Sequence, residues 1–454
     1  MRRYKPYSTY KPSGVEWLGN IPKHWQLKRL KFVCYTNPSK SEIAHLPNDT
    51  EVSFCPMELL GNGTISTKST KLLGQVRQGF TYFRDGDIVI AKITPSFENG
   101  KGAIASSLVN GLGFGTTELH VLRPGSLIDR HFLYYLTISG VFRGFGATQM
   151  YGTAGQKRIS DGFLNNFPTP LPPFEEQKLI VAFLDCEIRR LDTLITNKRE
   201  LIDLLQKKRN AIITDAVTKG LNLDVPLKDS GVSWIGKVPQ HWEIRRFKFM
   251  LKYLEQGWSP ACENRLADEE EWGVLKVGCV NGGYFNELEH KALPNNLEPK
   301  LEYEIKIGDV LISRANTKEL LGSTAKVHSV QRNLLLCDKL YRIKTVSDVD
   351  PDFFVILLQS APARYQFERE SSGASDSMQN ISQASMGNFI LPLAPIREQK
   401  LITEKLHEDF MIIGILKEKL VKQIGELQKY RQALITAAVT GKIDVREEFA
   451  QGVA

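Results

Sequence analysis

The stretch SGVEWLGNIPKHW, from Ser13 to Trp25, returns as SGVSWIGKVPQHW, from Ser230 to Trp242. Tryptophan is scarce, with 6 in 454 residues, so two of them recurring in one frame indicate internal repetition. Further paired stretches follow in the same order, at an offset that grows from about 217 to about 222 residues. They are DGDIVI (85–90) with IGDVLI (307–312), FPTPLPPFEEQKLI (167–180) with FILPLAPIREQKLI (389–402), and LQKKRNAIITDAVT (205–218) with LQKYRQALITAAVT (427–440). We interpret the chain as a duplication whose copies share a frame and differ between the shared stretches.

Each copy begins with a region of about 160 residues that mixes strand and helix signals, long enough for a domain of its own. Runs such as GDIVIAKI and GDVLISRA are rich in Val and Ile and start at Gly and Asp, as short strands do. Helical stretches such as DRHFLYYLTISGVFRGF (129–145) interrupt them. The prediction is a compact α/β globule in each copy.

Each copy ends with a long helix. Pro172 and Pro173 end the first globule, and Glu175 and Glu176 then favour the positive end of a helix dipole. Gly220 and Gly441 stand where the two helices are expected to stop. An apolar heptad pattern over four to five repeats predicts that the helices pair as a coiled coil. Its a and d positions are Leu184, Ile188, Leu191, Ile195, Ile202, Leu205, Ile212 and Ala216, then Leu406, Phe410, Ile413, Leu420, Ile424, Leu427, Leu434 and Ala438.

Charged residues interrupt this apolar seam at Lys198, Arg209, Lys417 and Arg431. They could be tolerated polar positions, or they could set the helix register or contact partner subunits or DNA phosphate. We expect the helices to pair antiparallel, because a parallel pair would need a long return path through the globule between them.

The predicted fold class is mixed α/β, with two pseudo-two-fold related α/β globules separated by two long antiparallel coiled-coil helices. The predicted boundaries are an N-terminal arm 1–12, a first globule 13–173, a central spacer helix 174–222, a second globule 223–395, a C-terminal spacer helix 396–446 and a tail 447–454. Residues 1–12 could be a disordered arm that touches phosphate, or merely a tail.

Composition favours a cytosolic protein with an anionic partner. The formal net charge is +8, and Lys and Arg gain affinity for DNA or RNA by releasing condensed counterions. No run approaches the ~18 apolar residues of a membrane helix, so no membrane partner is expected. The cysteines show neither C-x-x-C pairs nor zinc spacing, which predicts reduced thiols and no metal site. They are Cys34, Cys55, Cys186, Cys262, Cys279 and Cys337.

Two motifs of nucleotide chemistry are incomplete in this chain. GVSWIGK (231–237) has the spacing of a phosphate-binding loop, but Val238 follows where a Ser or Thr should bind Mg²⁺. The first copy also has Asn20 in place of the Lys. LPPF (171–174) lacks the Asn or Asp that adenine methylation needs before Pro-Pro, and no G-x-G-x-x-G follows a strand. No cofactor site is predicted.

A nuclease set of Asp161, Glu176 and Lys178 is not repeated, because Gln383 stands at the position of Asp161. His24 and His241 recur without any nucleophile beside them, so we interpret both as structural rather than catalytic. The repeated tryptophans can bury large areas, with a base-stacking surface as the alternative. The prediction is therefore that the chain carries no catalytic residue.

The repeated stretches, in this order and twice over, resemble the specificity subunit of type I restriction–modification systems, from about Gly14 to Val445. The resemblance rests on GVEWLGNIPKHW with GVSWIGKVPQHW, LPPFEEQKLIVAFLD with LAPIREQKLITEKL, and LLQKKRNAIITDAVTKG with ELQKYRQALITAAVTGK. It implies that each globule is a target-recognition domain for one half of an interrupted sequence in double-stranded DNA. It also implies that the two helices set the spacing and dock two methyltransferase subunits. Those partners would hold S-adenosylmethionine and methylate adenine, and restriction subunits would translocate and cut DNA.

Residues that read bases are sought among Lys, Arg, Asn and Gln, because these side chains make bidentate contacts with base edges. Arg314 and Lys92 are the strongest candidates, since they follow the same strand in both copies. For each candidate the competing interpretation is a solvated surface residue. The candidates are Lys92, Thr94, Lys101, Gln156, Lys157 and Arg158 in the first copy, and Lys276, Asn281, Arg314, Asn316, Lys318, Gln379 and Asn380 in the second.

Two rival functions fit the sequence less well. A stand-alone methyltransferase-nuclease would need the cofactor loop and the Pro-Pro motif that the sequence lacks. A coiled-coil scaffold that binds only proteins would not explain why the globules diverged while the helices stayed alike. The expected function is therefore DNA recognition within a larger complex.

Overall fold

The computed structural model describes residues 4–152, 156–222, 224–375 and 378–447. They fall into two compact units, one within Met1–Lys198 and Val421–Ala454 and the other within Arg199–Leu420. Each unit thus contains one globule and a part of each long helix. The six segments predicted from the sequence stay a prediction, because the units divide both helices rather than separating them from the globules.

The first unit and the helix that leaves it contain these elements in chain order: β1 (Tyr10–Pro12), β2 (Asn20–Pro22), β3 (Gln26–Arg29), β4 (Cys34–Thr36), β5 (Glu51–Cys55), β6 (Thr70–Leu72), α1 (Leu73–Val76), β7 (Thr81–Arg84), β8 (Ile88–Ala91), β9 (Gly102–Ile104), β10 (Leu112–Gly115), β11 (Leu119–Pro124), α2 (Arg130–Ile138), α3 (Gly140–Thr148), α4 (Asp161–Asn166), β12 (Pro168–Leu171) and α5 (Phe174–Lys219).

The second copy continues with β13 (Leu227–Asp229), β14 (Lys237–Pro239), β15 (Glu243–Arg246), β16 (Leu251–Gln256), β17 (Trp272–Leu275), β18 (His290–Ala292), β19 (Val310–Ser313), β20 (Ala315–Asn316), β21 (Thr324–Lys326), β22 (Asn333–Leu335), β23 (Leu340–Thr345), α6 (Pro351–Gln359), α7 (Ala361–Glu370), β24 (Ser372–Ser375), β25 (Met378–Asn380), α8 (Gln383–Gly387), β26 (Ile390–Leu393) and α9 (Ile396–Val439). Among the described residues, no helix has both the length and the apolar character needed to cross a membrane.

Each globule contains its own central antiparallel sheet, and the two sheets are equivalent. Its strand order is β4-β11-β8-β9 in the first globule and β16-β23-β19-β21 in the second. Ile90 pairs with His120 in the first sheet, and Ile312 pairs with Tyr341 at the equivalent place in the second. A parallel pair lies in a further sheet of each globule, β5 with β10 and β17 with β22. The predicted mixed α/β class is confirmed.

The N-terminal residues correct one expectation. Residues 4–12 are not a free arm, because they pack into the hydrophobic core of the first unit. Tyr7 is buried and donates a hydrogen bond of 2.7 Å to Glu176, and the ring of Tyr4 lies edge-on 5.2 Å from that of Phe183. Burial of the aromatic rings stabilises this segment. The basic composition of the segment did not indicate that it would be packed. Residues 1–3 and residues 448–454 of the predicted tail lie outside the described residues.

The repeated His-Trp pair fixes the start of each long helix. Trp25 Nε1 donates to Glu176 at 2.9 Å, and His24 Nε2 lies 2.7 Å from the other oxygen of that carboxylate. We call His24, Trp25 and Glu176 the first clamp. The second clamp is His241, Trp242 and Glu398, with distances of 2.6 and 3.0 Å to the carboxylate. Both histidines thus contact a carboxylate at the start of a long helix, which supports the structural interpretation.

The opening segments also receive the helix ends. Gly441 has a φ of +70° just after α9, and its carbonyl accepts a hydrogen bond of 3.1 Å from the Tyr10 hydroxyl. Lys442 donates to the carbonyls of Leu18 and Asn20 at 2.7 and 2.6 Å. In the second unit, Gly220 has a φ of +76° at the end of α5, and a Cβ there would lie 3.4 Å from the Trp242 ring. The predicted helix stops are confirmed, and both occur where a left-handed backbone favours glycine.

Contacts inside the first unit show that the long helices pair antiparallel. In the first unit, Arg431 Nε lies 3.0 Å from Asp192, and Lys198 Nζ lies 2.7 Å from Gln423. The residue number thus rises along α5 as it falls along α9. In the second unit, the Arg209 guanidinium lies 4.1 Å from the Phe410 ring centroid. These three charged seam residues join the two helices, which favours the register-setting interpretation.

Candidate nucleic-acid interface

The first candidate edge lies where the chain leaves β8. The Thr94 N–H donates to the Lys157 carbonyl at 2.9 Å, and the Lys157 N–H donates to Thr94 Oγ1 at 3.0 Å. The Ile159 N–H donates to the Lys92 carbonyl at 3.0 Å. We define residues 92–94 and 156–158 as the first edge. It brings together predicted residues that lie about 60 positions apart in the sequence. Their proximity depends on how the chain pairs in the folded protein.

The second edge has the same backbone pairing. Strand β20 pairs with β25, so that Ala315 faces Asn380 and Asn316 faces Gln379. The Ile381 N–H donates to the Arg314 carbonyl at 2.9 Å, as Ile159 does to Lys92 in the first copy. We define residues 314–316 and 378–380 as the second edge. The two edges share one frame and present different side chains, which suits two different targets.

An ion pair holds one side of the first edge. Arg158 binds Glu118 with two contacts of 2.8 Å, and the hydrogen bond from this guanidinium lowers the pKa of the Glu118 carboxyl. Arg158 would have to exchange this partner to bind a base, whereas Lys157 is exposed. Lys101 lies outside the pairing, and its ammonium donates to the Met57 carbonyl at 3.0 Å.

Side chains of the second edge are partly committed to the fold. Asn316 is 9% exposed, accepts a hydrogen bond from the Thr317 N–H at 2.9 Å and donates to Asn281 at 3.3 Å. This amide therefore positions the edge, and it brings Asn281 beside it. Arg314 Nη1 donates to the Asp338 carbonyl at 3.2 Å, and the guanidinium lies 5.8 Å from the Tyr341 ring centroid, so the charged group itself is held by the fold.

Lys276 and Lys318, like Asn281, lie outside the β20–β25 pairing of the second copy. Lys276 Nζ is 3.3 Å from the Glu289 carboxylate. Lys318 is exposed and follows the edge by two residues. Among the described residues, no cluster of His, Cys, Asp and Glu could hold a metal ion.

Sequence reasoning missed a pair of arginines that hold the loops after the edges. Arg143, on α3, donates to the Phe97 carbonyl at 2.8 Å. Arg364, on α7, donates to the carbonyls of Lys318, Glu319 and Leu321. The signal that could have found them was an Arg four residues after a helix-capping Ser in both copies, SGVFR (139–143) and SAPAR (360–364).

Arg143 is a buried cation with few partners. It is 8% exposed, and Nε and Nη2 have no hydrogen-bond partner among the described residues. The guanidinium lies 4.6 Å from the Phe97 ring centroid, and burial lowers its pKa to about 10. A cation buried this deeply without an ion pair carries an electrostatic cost, which indicates that it is retained for the loop it holds.

Arg143→Met should relax base preference in one half of the target while changing thermal stability little. Removing the uncompensated charge offsets the loss of the bond to the Phe97 carbonyl, each amounting to about 1–3 kcal/mol. Binding to libraries randomised in one half at a time, together with the melting temperature, measures both effects. Equal relaxation of both halves would assign Arg143 to general stability instead.

A duplicated α/β globule carried on antiparallel helices, with basic or amide side chains on the same edge of each copy, is the arrangement expected of a nucleic-acid-binding protein with two related binding surfaces. Known proteins place the chain further. Residues 22–204 match the family described as the type I restriction modification DNA specificity domain.

The relatives agree with this match. The chain is 43% identical to the type I restriction enzyme EcoAI specificity subunit of Escherichia coli, over 92% of this chain and 83% of that protein. It is 27% identical to the EcoEI specificity subunit of Escherichia coli, over 88% of this chain and 80% of that one. A solved structure from work on complex assembly and conformational transition of the type I R-M system shares the fold, with a TM-score of 0.67 at 20% identity, covering 93% of this chain and 99% of that chain.

The chain belongs to the specificity subunits of type I restriction–modification enzymes. Its function is recognition of the DNA target, as the resemblance in the sequence implied. The scaffold function that would bind only proteins receives no support from these relatives.

Proposed function

We propose that each globule reads one half of a bipartite duplex target through its edge, and that the two long helices set the distance between the half-sites. The observation that carries this proposal is the equivalence of the edges: Thr94 with Lys157 and Asn316 with Gln379 have the same backbone pairing but different side chains. A shared frame with divergent side chains suits two half-sites of different sequence. Half-sites on one face of B-DNA lie about 34–36 Å apart, one helical turn.

The partners we propose are double-stranded DNA, two methyltransferase subunits on the helices, and restriction subunits added to that complex. Exposed apolar side chains on α9 support docking, because such patches mark protein interaction sites. Met411, Ile412 and Ile415 are 69%, 57% and 56% exposed. In this proposal the chain has no catalysis of its own, S-adenosylmethionine binds the methyltransferase subunits, and the complex works in the cytoplasm.

Co-expression with the methyltransferase subunit tests this function. Mapping methylated adenines should reveal an asymmetric sequence in two parts with a fixed spacer. The purified chain, given S-adenosylmethionine and DNA alone, should neither methylate nor cleave. Methylation by the chain alone, or target choice that ignores this chain, would contradict the proposal.

Lys92→Ala and Arg314→Ala form a matched pair for the edges, since the two residues occupy equivalent positions. Each should relax only its own half-site, at a cost of about 1–3 kcal/mol for the preferred base, because alanine cannot bind the base edge. Arg314→Lys keeps the charge and separates base reading from phosphate attraction. Methylation of targets altered in one half at a time provides the measurement. An equal loss for both halves would assign these residues to phosphate contacts or to folding.

A further inference from the structure

A cationic cavity of about 540 Å³ lies in the second unit, between the long helices and the loops that flank the second edge. The charged side chains that line it are Arg209, Lys417, Arg364 and Glu319. Arg209 and Lys417 are two of the seam residues that interrupt the heptad pattern. The lining therefore has three cations against one carboxylate.

The two arginines are unusual because they are half-buried and form no ion pair within the described part of the chain. Arg209 donates to the Gln359 side-chain oxygen at 3.0 Å and otherwise faces the Phe410 ring. Arg364 donates only to backbone carbonyls. Burial lowers the pKa of both guanidinium groups, although Glu319 and Glu368 attract Arg364 from further away. Partly desolvated cations of this kind are stabilised by a bound anion.

The first unit shows that the fold does not require unpaired charges at the positions of Arg209 and Lys417. Arg431 stands at the position equivalent to Arg209, and Asp192 neutralises it at 3.0 Å. Ile195 and Ile188 occupy the positions equivalent to Lys417 and Phe410, and both are buried. The uncompensated Arg209 and Lys417 are thus specific to the second copy, which indicates a role beyond helix pairing, whereas Arg364 has the unpaired Arg143 as its counterpart.

We propose that this cavity binds a phosphate group of the DNA backbone beside the second half-site. The inference rests on the proposed function. Gly282 and Gly283, on the cavity wall, directly follow Asn281, whose amide oxygen accepts a hydrogen bond from Asn316 of the second edge. A duplex seated on that edge brings its backbone to the cavity. Both glycines have positive φ, +83° and +84°, a left-handed backbone that favours glycine.

The test is the salt dependence of DNA binding by the complex of this chain with its methyltransferase subunit. Removing one cation that binds phosphate should reduce the slope of log affinity against log salt by about 1, with equal weakening on all sequences. Arg209→Gln and Lys417→Gln should each show this change and, at about 0.1 M salt, a loss of affinity of roughly tenfold. The target sequence should stay the same. Lys417 is exposed, so its variant should fold even if the Arg209 variant does not.

Lys419→Gln is the control, because this exposed lysine lies on the same helix and does not line the cavity. A slope that falls equally in the control, or stays unchanged in both cavity variants, overturns the inference. A second measurement tests whether the cavity binds free phosphate instead of DNA. It compares the stability of the complex in inorganic phosphate and in chloride at equal ionic strength. Stabilisation by phosphate that needs Arg209 and Lys417, with an unchanged DNA slope, would assign a free phosphate to the cavity and overturn the DNA assignment. Failure of the proposed function can be distinguished from failure of this inference. In the former case the wild-type complex itself would show no preferred DNA sequence.

Discussion

Glu176→Ala is expected to destabilise the first unit by about 3–5 kcal/mol, the range for removing one partner of a buried charged network. The Glu176 side chain is 7% exposed and accepts hydrogen bonds from Tyr7 and Trp25, with His24 at 2.7 Å. Without the carboxylate, the Trp25 N–H and the Tyr7 hydroxyl are left buried and unpaired. Burial and then Glu176 itself raise the pKa of Tyr7, so its hydroxyl stays protonated and donates.

Denaturant unfolding followed by tryptophan fluorescence measures this loss, and hydrogen exchange of residues 4–25 localises it. Glu398→Ala removes the equivalent carboxylate of the second clamp, which is 38% exposed, and should cost only about 1–2 kcal/mol. Glu175→Ala, beside Glu176 but 82% exposed, should change stability by less than about 0.5 kcal/mol. Similar losses for Glu176→Ala and Glu175→Ala would show that the clamp does not hold the helix start.

Exchanging residues 26–171 for those of another specificity subunit should replace one half of the DNA target completely. The cut falls where β3 pairs with β12, with Gln26 opposite Leu171 and Arg29 opposite Pro168. The exchanged piece therefore contains the whole first edge. It leaves the opening segment, the first clamp and both long helices native, so the second half-site and the spacing should stay unchanged.

Methylated adenines mapped in cells that express the hybrid with the methyltransferase subunit show the outcome. The equivalent exchange in the second copy replaces residues 243–393, a segment bounded by the pairing of Glu243 with Leu393. It should change only the other half of the target. A hybrid with a new spacer length would show that the globules, and not the helices, set the spacing. A change in both halves would contradict independent reading.

The parts of the fold that sequence predicts best are those written in local patterns. The heptad at Leu184, Ile188 and Leu191 predicts a buried seam, and these side chains are 0%, 6% and 1% exposed. The two helix ends could be predicted equally well, because the left-handed backbone that ends a helix favours glycine. The base-reading roles of the candidate residues stay predictions. The structure nonetheless brings Thr94 beside Lys157, and Asn316 beside Gln379.

The first clamp shows what local patterns could not supply. His24 and Trp25 repeat as His241 and Trp242, yet nothing in their spacing identifies Glu176, about 150 residues further along the chain, as their partner. The packing of Tyr7 could not be predicted for the same reason. A basic and aromatic segment has the composition of an exposed tail, and only the structure shows that it covers the core of the first unit.

The duplication and the pairing of the long helices could be predicted from the sequence alone, because repeats and heptads are periodic along the chain and need no knowledge of packing. Which side chains meet could be learned from the folded chain alone. This holds for the clamps, the edges, the contacts of Arg143 and Arg364 with their loops, and the unpaired charge of Arg209. Hydrogen bonds and desolvation depend on neighbours in space, and those neighbours come from distant parts of the chain.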